Sequence, residues 1–345
     1  MSTKRALRVA ALLVVLGVAV LTLKDKLPDP ATIAATIASA NPWWLLLAAA
    51  AEMTSLRHFA LQQRRLLAGF GVRMSVPRAV AVTFTRSAIS FSLPAGSAMS
   101  AGFAFRQFRT AGASRRTAGA VAVLSSVLSG VALILMYGAV VLIPRGGATG
   151  NADTLVLVLG LLVIASVVFG LDFLLSRAGA PSGPPAGDHA DEEERPGPRP
   201  GLIERGKASA GRIVADLRRL PPRSWVLSLV HATVNWGLDF ACLAATAAAF
   251  GIDVSPALLA TVYLTVQLVR QVPISPGGIG VVEVALLAGL VSAGAEHGPA
   301  AAAMLVYRLL SCWIIIPLGA LTYATLRRRK TPASQPAPRH PTPVA

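Results

Sequence analysis

The chain has 345 residues, 54% of them hydrophobic and only 14% charged, and carries a formal net charge of +16. Soluble domains carry about a quarter charged residues, and several apolar runs here approach the roughly 20 residues that cross a bilayer, so the composition excludes a soluble domain and points to an integral membrane protein. The basic residues stand at the ends of apolar runs rather than along one soluble face, which sets aside a nucleic-acid partner and gives instead the cytoplasmic excess of Lys and Arg around spanning segments.

MSTKRALRVAALLVVLGVAVLTLKDK begins like a signal peptide, but no small-x-small cleavage site follows and Lys24-Asp25-Lys26 closes the run. It reads as an uncleaved helix over 6–23, leaving a cytoplasmic N-terminus marked by Lys4, Arg5 and Arg8. Residues 30–41, with Ile33 and Ile37 one turn apart, are expected at the outer surface as a short amphipathic helix. Trp43 and Trp44 mark an interfacial belt, and 43–61 returns inward to Arg64, Arg65 and Arg73.

The segment 78–109 is broken at Pro94-Ala95-Gly96 and has short arms. Arg73 and Arg78 precede it, and Arg106, Arg109, Arg115 and Arg116 follow. Positive charge at both ends places both ends in the cytoplasm, which a re-entrant hairpin satisfies and a single span does not. Residues 117–143 then cross outward to a Gly-rich loop around 145–151, and 154–175 cross back. The stretch 177–222 is read as a cytoplasmic linker, Pro/Gly-rich and disordered over 177–200. Its end, GRIVADLRRL (211–220), puts Ile213, Val214, Leu217 and Leu220 on one face of an inner-surface helix.

Residues 224–250 cross outward. Arg327, Arg328, Arg329 and Lys330 hold the C-terminus inside, so the last helix, about 301–325, runs inward, with a disordered basic, Pro-rich tail over 327–345. Positions 251 and 298 are then both outside. RQVPISPGGIGVVEVALL (270–287) must enter and leave by the outer face, as a second re-entrant hairpin. The reading is therefore an all-α integral membrane protein with one domain over 1–326, six spanning helices and two re-entrant helical hairpins, both termini cytoplasmic. The halves 6–143 and 154–326 form an inverted repeat, with echoes between SVPRAVAVTFT (75–85) and VSPALLATVYL (254–264), and between Pro94-Ala95-Gly96 and Pro276-Gly277-Gly278. Inverted repeats that meet at broken helices are how many transporters build a midplane site.

Broken backbone at membrane depth is tolerated only inside protein or beside a cavity. The break at Pro276-Gly277-Gly278 exposes N–H groups ahead of a half-helix from about Gly280, whose N-terminus favours an anion such as a phosphate. Glu52, Arg57, Arg86, Asp239, Arg270, Glu283 and Arg308 lie within apolar segments, and each would cost about 2.5–3.5 kcal/mol facing lipid at a helix centre. They are expected to face an interior or one another. Arg270 and Glu283 read equally as an ion pair across the hairpin or as ligand-binding groups. Arg57 reads as a snorkelling residue. Asp239, Asn235 and His231 form a polar stripe that favours helix packing over proton transfer. Cys242 and Cys312 have neither CxxC nor metal spacing, the histidines form no metal motif, and no cofactor is expected.

LPAGSAMSAGFAFRQFRTAG (93–112), RQVPISPGGIGVVEVALL (270–287) and YRLLSCWIIIPLGAL (307–321) together resemble the transmembrane, flippase-like domain of the lysylphosphatidylglycerol synthase family. That family's pattern has a Pro-x-Gly break followed by basic residues, an Arg–Pro–x–x–Pro-Gly-Gly-x-Gly-x-x-Glu segment and an arginine in the last helix. The resemblance implies Arg270, Pro276, Gly277, Gly278, Gly280, Glu283 and Arg308 as substrate-binding residues, with Pro94 and Gly96 at the first break; Arg86 stands near that break as the inner counterpart. Only TPASQPAPRHPTPVA follows the last basic cluster, so a soluble aminoacyl-transfer domain is not expected. The first break, PAGSAMSAG, has fewer glycines than many members of the family.

The expected function is a lipid translocase of the bacterial inner membrane, moving an anionic phospholipid or lipid-linked headgroup between leaflets, with Asp239 or Glu283 as a proton carrier. No GxxxxGK[ST] motif supplies an ATP engine. The alternatives are a membrane-embedded lipid-modifying transferase, or a non-transporting partner of a separately encoded lipid synthase.

Overall fold

A computed structural model describes residues 35–93, 96–141, 220–271 and 278–328. The expected helices over 6–23 and 154–175, the linker up to 219, most of the tail, and Pro94, Ala95, Pro276 and Gly277 lie outside the described residues. Within them the chain is helical, with no strand.

Among the described residues the helices follow in order. The first four are α1 (Pro42–Gly69), α2 (Val76–Ser92), α3 (Gly96–Thr110) and α4 (Arg115–Val141). After the linker come α5 (Pro222–Ala249), α6 (Pro256–Gln271), α7 (Val281–Ser292), α8 (His297–Arg308) and α9 (Ile315–Arg328). A π turn over Leu309–Trp313 joins α8 to α9. Among the described residues three apolar helices are long enough to cross a membrane: Arg115–Val140, Pro222–Ala249 and His297–Arg327. Helix α1 has the length, 28 residues, but Glu52, Arg57 and His58 interrupt its apolar character. It also runs two turns past the expected end at 61, because Leu66 and Leu67 are fully buried and continue the packed face.

The two halves repeat one another in local detail. Each is a long helix, two short ones and a long one. The long helices α1 and α5 both have 28 residues and a proline in the first turn. Each ends on the same motif, Phe70-Gly71-Val72 and Phe250-Gly251-Ile252. Gly71 (φ 79°) and Gly251 (φ 66°) take the left-handed conformation that glycine adopts without strain. Val72 N–H reaches Leu67 O at 2.9 Å, and Ile252 N–H reaches Ala247 O at 3.1 Å. The turns before the last long helices match again: Ala111-Gly112-Ala113 has Ala113 N–H on Phe108 O at 3.1 Å, and Ala293-Gly294-Ala295 has Ala295 N–H on Leu290 O at 3.0 Å.

Helices α1 and α5 pack against each other along their lengths, antiparallel. Asn41 N–H donates to Ala249 O at 3.0 Å at one end, and Gly69 lies against Leu220 and Ser224 at the other. Midway, Ser55 Oγ donates to Asn235 O at 2.9 Å across a separation of 180 residues, the same offset that relates Phe70-Gly71 to Phe250-Gly251. Ser55 therefore meets its own counterpart, and a pseudo-two-fold axis passes through that bond. The two units run in opposite directions.

Each unit has its own core. Leu66, Leu67, Ala104, Phe108, Val121 and Leu124 fill the first; Leu243, Leu264, Leu286, Leu290, Met304 and Tyr307 fill the second. Leu56, Phe91, Cys312 and Ile315 bridge them. The outer surface is apolar: Leu46, Leu47, Leu135, Val226, Val230, Leu305, Trp313 and Leu321 are all exposed, as a chain solvated by lipid requires. Trp43 and Trp44 are exposed at the start of α1, where interfacial tryptophans were expected. Arg57 is exposed as well, in keeping with a snorkelling side chain.

Helix α9 closes on α2 through Gly319, where an added Cβ would lie 2.3 Å from Ala88 Cβ and 2.5 Å from Phe84 O. Thr85 Oγ1 also reaches Gly319 O at 3.3 Å there. Gly319→Val is expected to separate these helices and cost about 1–3 kcal/mol by overpacking. Gly102→Ala, on α3 where nothing lies within 4 Å, is expected to be neutral or to stabilise by about 0.5–1 kcal/mol through helix propensity. Thermal unfolding of the two purified variants in detergent reads the contrast.

Candidate functional site

The chain returns from the second break at Gly278, with φ 72°. A Cβ there would fall 2.7 Å from Val282 Cγ2 and 3.6 Å from Arg270 Cγ, so only glycine fits the turn, and the stem of Arg270 lies against it. Gly280, φ 88°, is the N-cap of α7. Its N–H donates to Glu283 Oε2 at 2.7 Å, while Arg308 Nε donates to Glu283 Oε1 at 2.6 Å. The carboxylate read either as a partner of Arg270 or as a ligand-binding group is thus engaged on both oxygens. One oxygen neutralises the N-terminus of α7, and the other balances an arginine that is 1% exposed. Glu283 thus places a carboxylate at the N-terminus of α7, where an anion is favoured.

Arg270 stays at the tip of α6. Among the described residues it forms no ion pair. Its guanidinium stacks over the Phe91 ring at 5.3 Å, a favourable cation–π contact, and Nη1 reaches Gln267 Oε1 at 3.5 Å. Phe91 is at the end of α2, just before the first break, so this contact brings the two interrupted segments together. On the first segment, Arg86 lies over the Phe59 ring at 5.1 Å and reaches Ser100 Oγ across to α3 at 3.4 Å. Gly96 has no space for a side chain: a Cβ would lie 2.4 Å from Ser90 O and 2.7 Å from Ile89 O.

Behind Arg270 is a buried polar cluster. Asp239 accepts from Tyr263 Oη and Gln267 Nε2 on Oδ2, both at 2.9 Å, and from Tyr307 Oη on Oδ1 at 2.9 Å. Glu52, 4% exposed, lies against Asp239 across the α1–α5 seam, and its Oε2 has no hydrogen-bond partner. Two turns along the seam, His231 Nδ1 and His58 Nδ1 are 3.1 Å apart, one donating and one accepting. The stripe of His231, Asn235 and Asp239 therefore does pack against a helix, and the packed face of that helix is itself polar: Glu52, Ser55 and His58.

The structure brings Arg270, Gly278, Gly280, Glu283 and Arg308 around one hairpin tip, with Asp239 behind it. Arg86 and Gly96 belong to the other tip. The sequence reading missed the depth of the site. Tyr263, Gln267 and Arg270 recur at helical spacing on one face of α6, and Glu52 shares a face with Ser55 and His58 on α1; those stripes were the available signal.

A family model described as lysylphosphatidylglycerol synthase TM region matches residues 8–319. A UPF0104 membrane protein from Methanothermobacter thermautotrophicus is 37% identical over 71 residues. That alignment spans 21% of each chain, about a fifth of the relative's length.

Removing one partner of the Glu283–Arg308 pair strands a buried charge, which typically costs about 3–5 kcal/mol. Glu283→Ala is expected to destabilise by that order, and the double variant Glu283→Ala with Arg308→Met to recover part of the loss. A double-mutant cycle on thermal unfolding midpoints measures the coupling; additive effects would show that the pair holds nothing together.

Proposed function

Since the chain belongs to the lysylphosphatidylglycerol synthase transmembrane-region family, we propose that it is a lipid translocase, which carries the anionic headgroup of a phospholipid or lipid-linked intermediate between the leaflets of a bacterial inner membrane. In this reading 76–110 and 256–292 are re-entrant hairpins entering from the cytoplasmic and outer faces. The helices over 6–23 and 154–175 complete six spans, and both termini are cytoplasmic.

The observation that carries it is Arg270. A guanidinium next to an interrupted helix at the meeting of two oppositely directed units, with no ion-pair partner among the described residues, is costly in an apolar layer. A lipid phosphate offsets that cost by charge-assisted hydrogen bonding, which arginine's fork suits. Glu283 and Arg308 satisfy each other, so their part is to hold the tip in shape. Gly278 and Gly280 supply the tight backbone that lets the tip form. Arg86 offers a second cation on the other unit, seated on a ring rather than on an acid. Alternating exposure of the two tips to opposite faces would carry a headgroup from one arginine toward the other, as inverted-repeat transporters do.

Full-length protein reconstituted in liposomes, with a fluorescent phosphatidylglycerol and a fluorescent phosphatidylcholine quenched from outside, tests this. Arg270→Ala is expected to slow phosphatidylglycerol movement about tenfold or more, the equivalent of a lost charged hydrogen bond worth about 1.5–3 kcal/mol, and Arg270→Lys to retain part of it. Arg86→Ala is expected to slow the same lipid. No movement of any anionic, aminoacylated or glycosylated lipid by the wild type would overturn the reading in favour of a non-transporting partner of a lipid synthase.

A further inference from the structure

We infer that Phe91 is the positioning residue of the headgroup site: its ring holds the Arg270 guanidinium while leaving the N–H groups open to a phosphate. The seat is complete only where the two interrupted segments touch; this rests on the lipid-translocase reading. A guanidinium has five N–H donors, all in its plane, and an aromatic ring attracts its charge without offering a lone pair to those donors. Arg270 lies over the Phe91 ring at 5.3 Å. Among the described residues its hydrogen bond, from Nη1 to Gln267 Oε1, is 3.5 Å long. An arginine paired with a carboxylate has its fork filled. One seated on a ring is restrained and still able to donate.

Both halves of the contact are fixed. The stem of Arg270 lies against the turn at Gly278, where an added Cβ would be 3.6 Å from Arg270 Cγ. Phe91 is 7% exposed and belongs to the cluster of Leu56 on α1, Cys312 of the π turn and Ile315 on α9. Just beyond it the chain doubles back, with Gly96 N–H on Leu93 O at 2.9 Å and no room for a Cβ at Gly96. The ring cannot turn away from Arg270 without disturbing the cluster that bridges the units.

The repeat does not account for the pairing. At the offset of 180 residues that relates the units, Arg270 corresponds to Ser90 and Phe91 to Gln271. Arg86, which corresponds to Val266, rests on a ring by a different route: Phe59, at 5.1 Å, lies on the neighbouring helix α1 of its own unit. The arginines of the two interrupted segments are thus each seated on a phenylalanine, although neither pair is the image of the other. Arg86 takes its ring from within its unit, whereas Arg270 has one only while the end of α2 stays against it. A phosphate on Arg270 therefore favours the arrangement in which the interrupted segments meet, because a ligand stabilises the state that binds it better.

Full-length protein carrying progressively fluorinated phenylalanine at position 91 tests this, because fluorine drains the negative face of the ring at nearly constant shape. Phosphatidylglycerol in detergent micelles is expected to bind less tightly along the series, by about three- to tenfold in all, the range of a cation–π contact. The maximal rate of its movement in liposomes is expected to hold. Phe91→Leu, which keeps the site apolar without a ring, is expected to match the end of the series, and Phe91→Tyr the wild type. In the Arg270→Ala background none of these changes is expected to add a further loss, whereas a packing role would add the same loss there. Affinity that follows the series, without lipid movement by the wild type, would keep this site and remove the translocase reading. Movement of phosphatidylglycerol with affinity flat across the series would leave the translocase reading standing and overturn the proposal. Tighter binding on fluorination would overturn it too, by making the ring a competitor of the lipid, and no binding of phosphatidylglycerol by the wild type would overturn both. The fluorinated series alone decides it if Phe91→Leu fails to fold.

Discussion

The architecture depends on the antiparallel seam between α1 and α5. Two 28-residue helices from opposite units lie along each other, and the Ser55–Asn235 contact marks where their pseudo-two-fold axis passes. In an apolar solvent the hydrophobic effect does little to drive helices together, so close packing and satisfied polar groups must hold them. The seam meets that need with a ladder of paired polar residues, one pair about every turn. Once it is set, each unit folds its short helices against its own core, and the two interrupted segments arrive where Phe91 and Arg270 touch.

A helix that begins away from water leaves N–H groups and a partial positive charge to be satisfied. At the second break the chain answers with its own side chain: Glu283 caps the N-terminus of α7 and also balances Arg308 from α8. One carboxylate thereby ties the hairpin to the last long helix and removes two buried liabilities together. Arg270 receives no equivalent treatment. Among the described residues it is held by a ring and a long contact to Gln267. A tip that is rigid on one flank and has an unmatched guanidinium on the other is suited to bind an anion without being consumed by its own structure.

Much of this was legible in the sequence. The breaks at Pro94-Ala95-Gly96 and Pro276-Gly277-Gly278, the short arms around them and the long helices that follow all announce themselves through glycine, proline and the periodic loss of polar residues. The repeat was read from Pro and Gly echoes, while the stronger signal was Phe70-Gly71-Val72 against Phe250-Gly251-Ile252, whose glycines end equivalent helices in the same conformation. Partner choice was not legible. Glu283 is thirteen residues from Arg270 and twenty-five from Arg308, and only the packing of α8 against α7 decides between them. Nor does spacing along one helix say that the stripe on α5 faces an equally polar stripe on α1, since that requires the register of the seam.

The two units match in backbone and differ in charge, and the difference is concentrated at the axis. Beside Arg86 the seam offers Phe59; beside Arg270, at the counterpart of Phe59, it offers Asp239 together with Glu52. His58 likewise has Leu238 as its counterpart, and His231 has Ala51. If the units were alike in charge, the axis would relate them in electrostatics as well as in backbone. Placing the acids on one side of the axis makes the two units electrostatically unequal. The fold supplies two similar units; the polar ladder makes them different from one another.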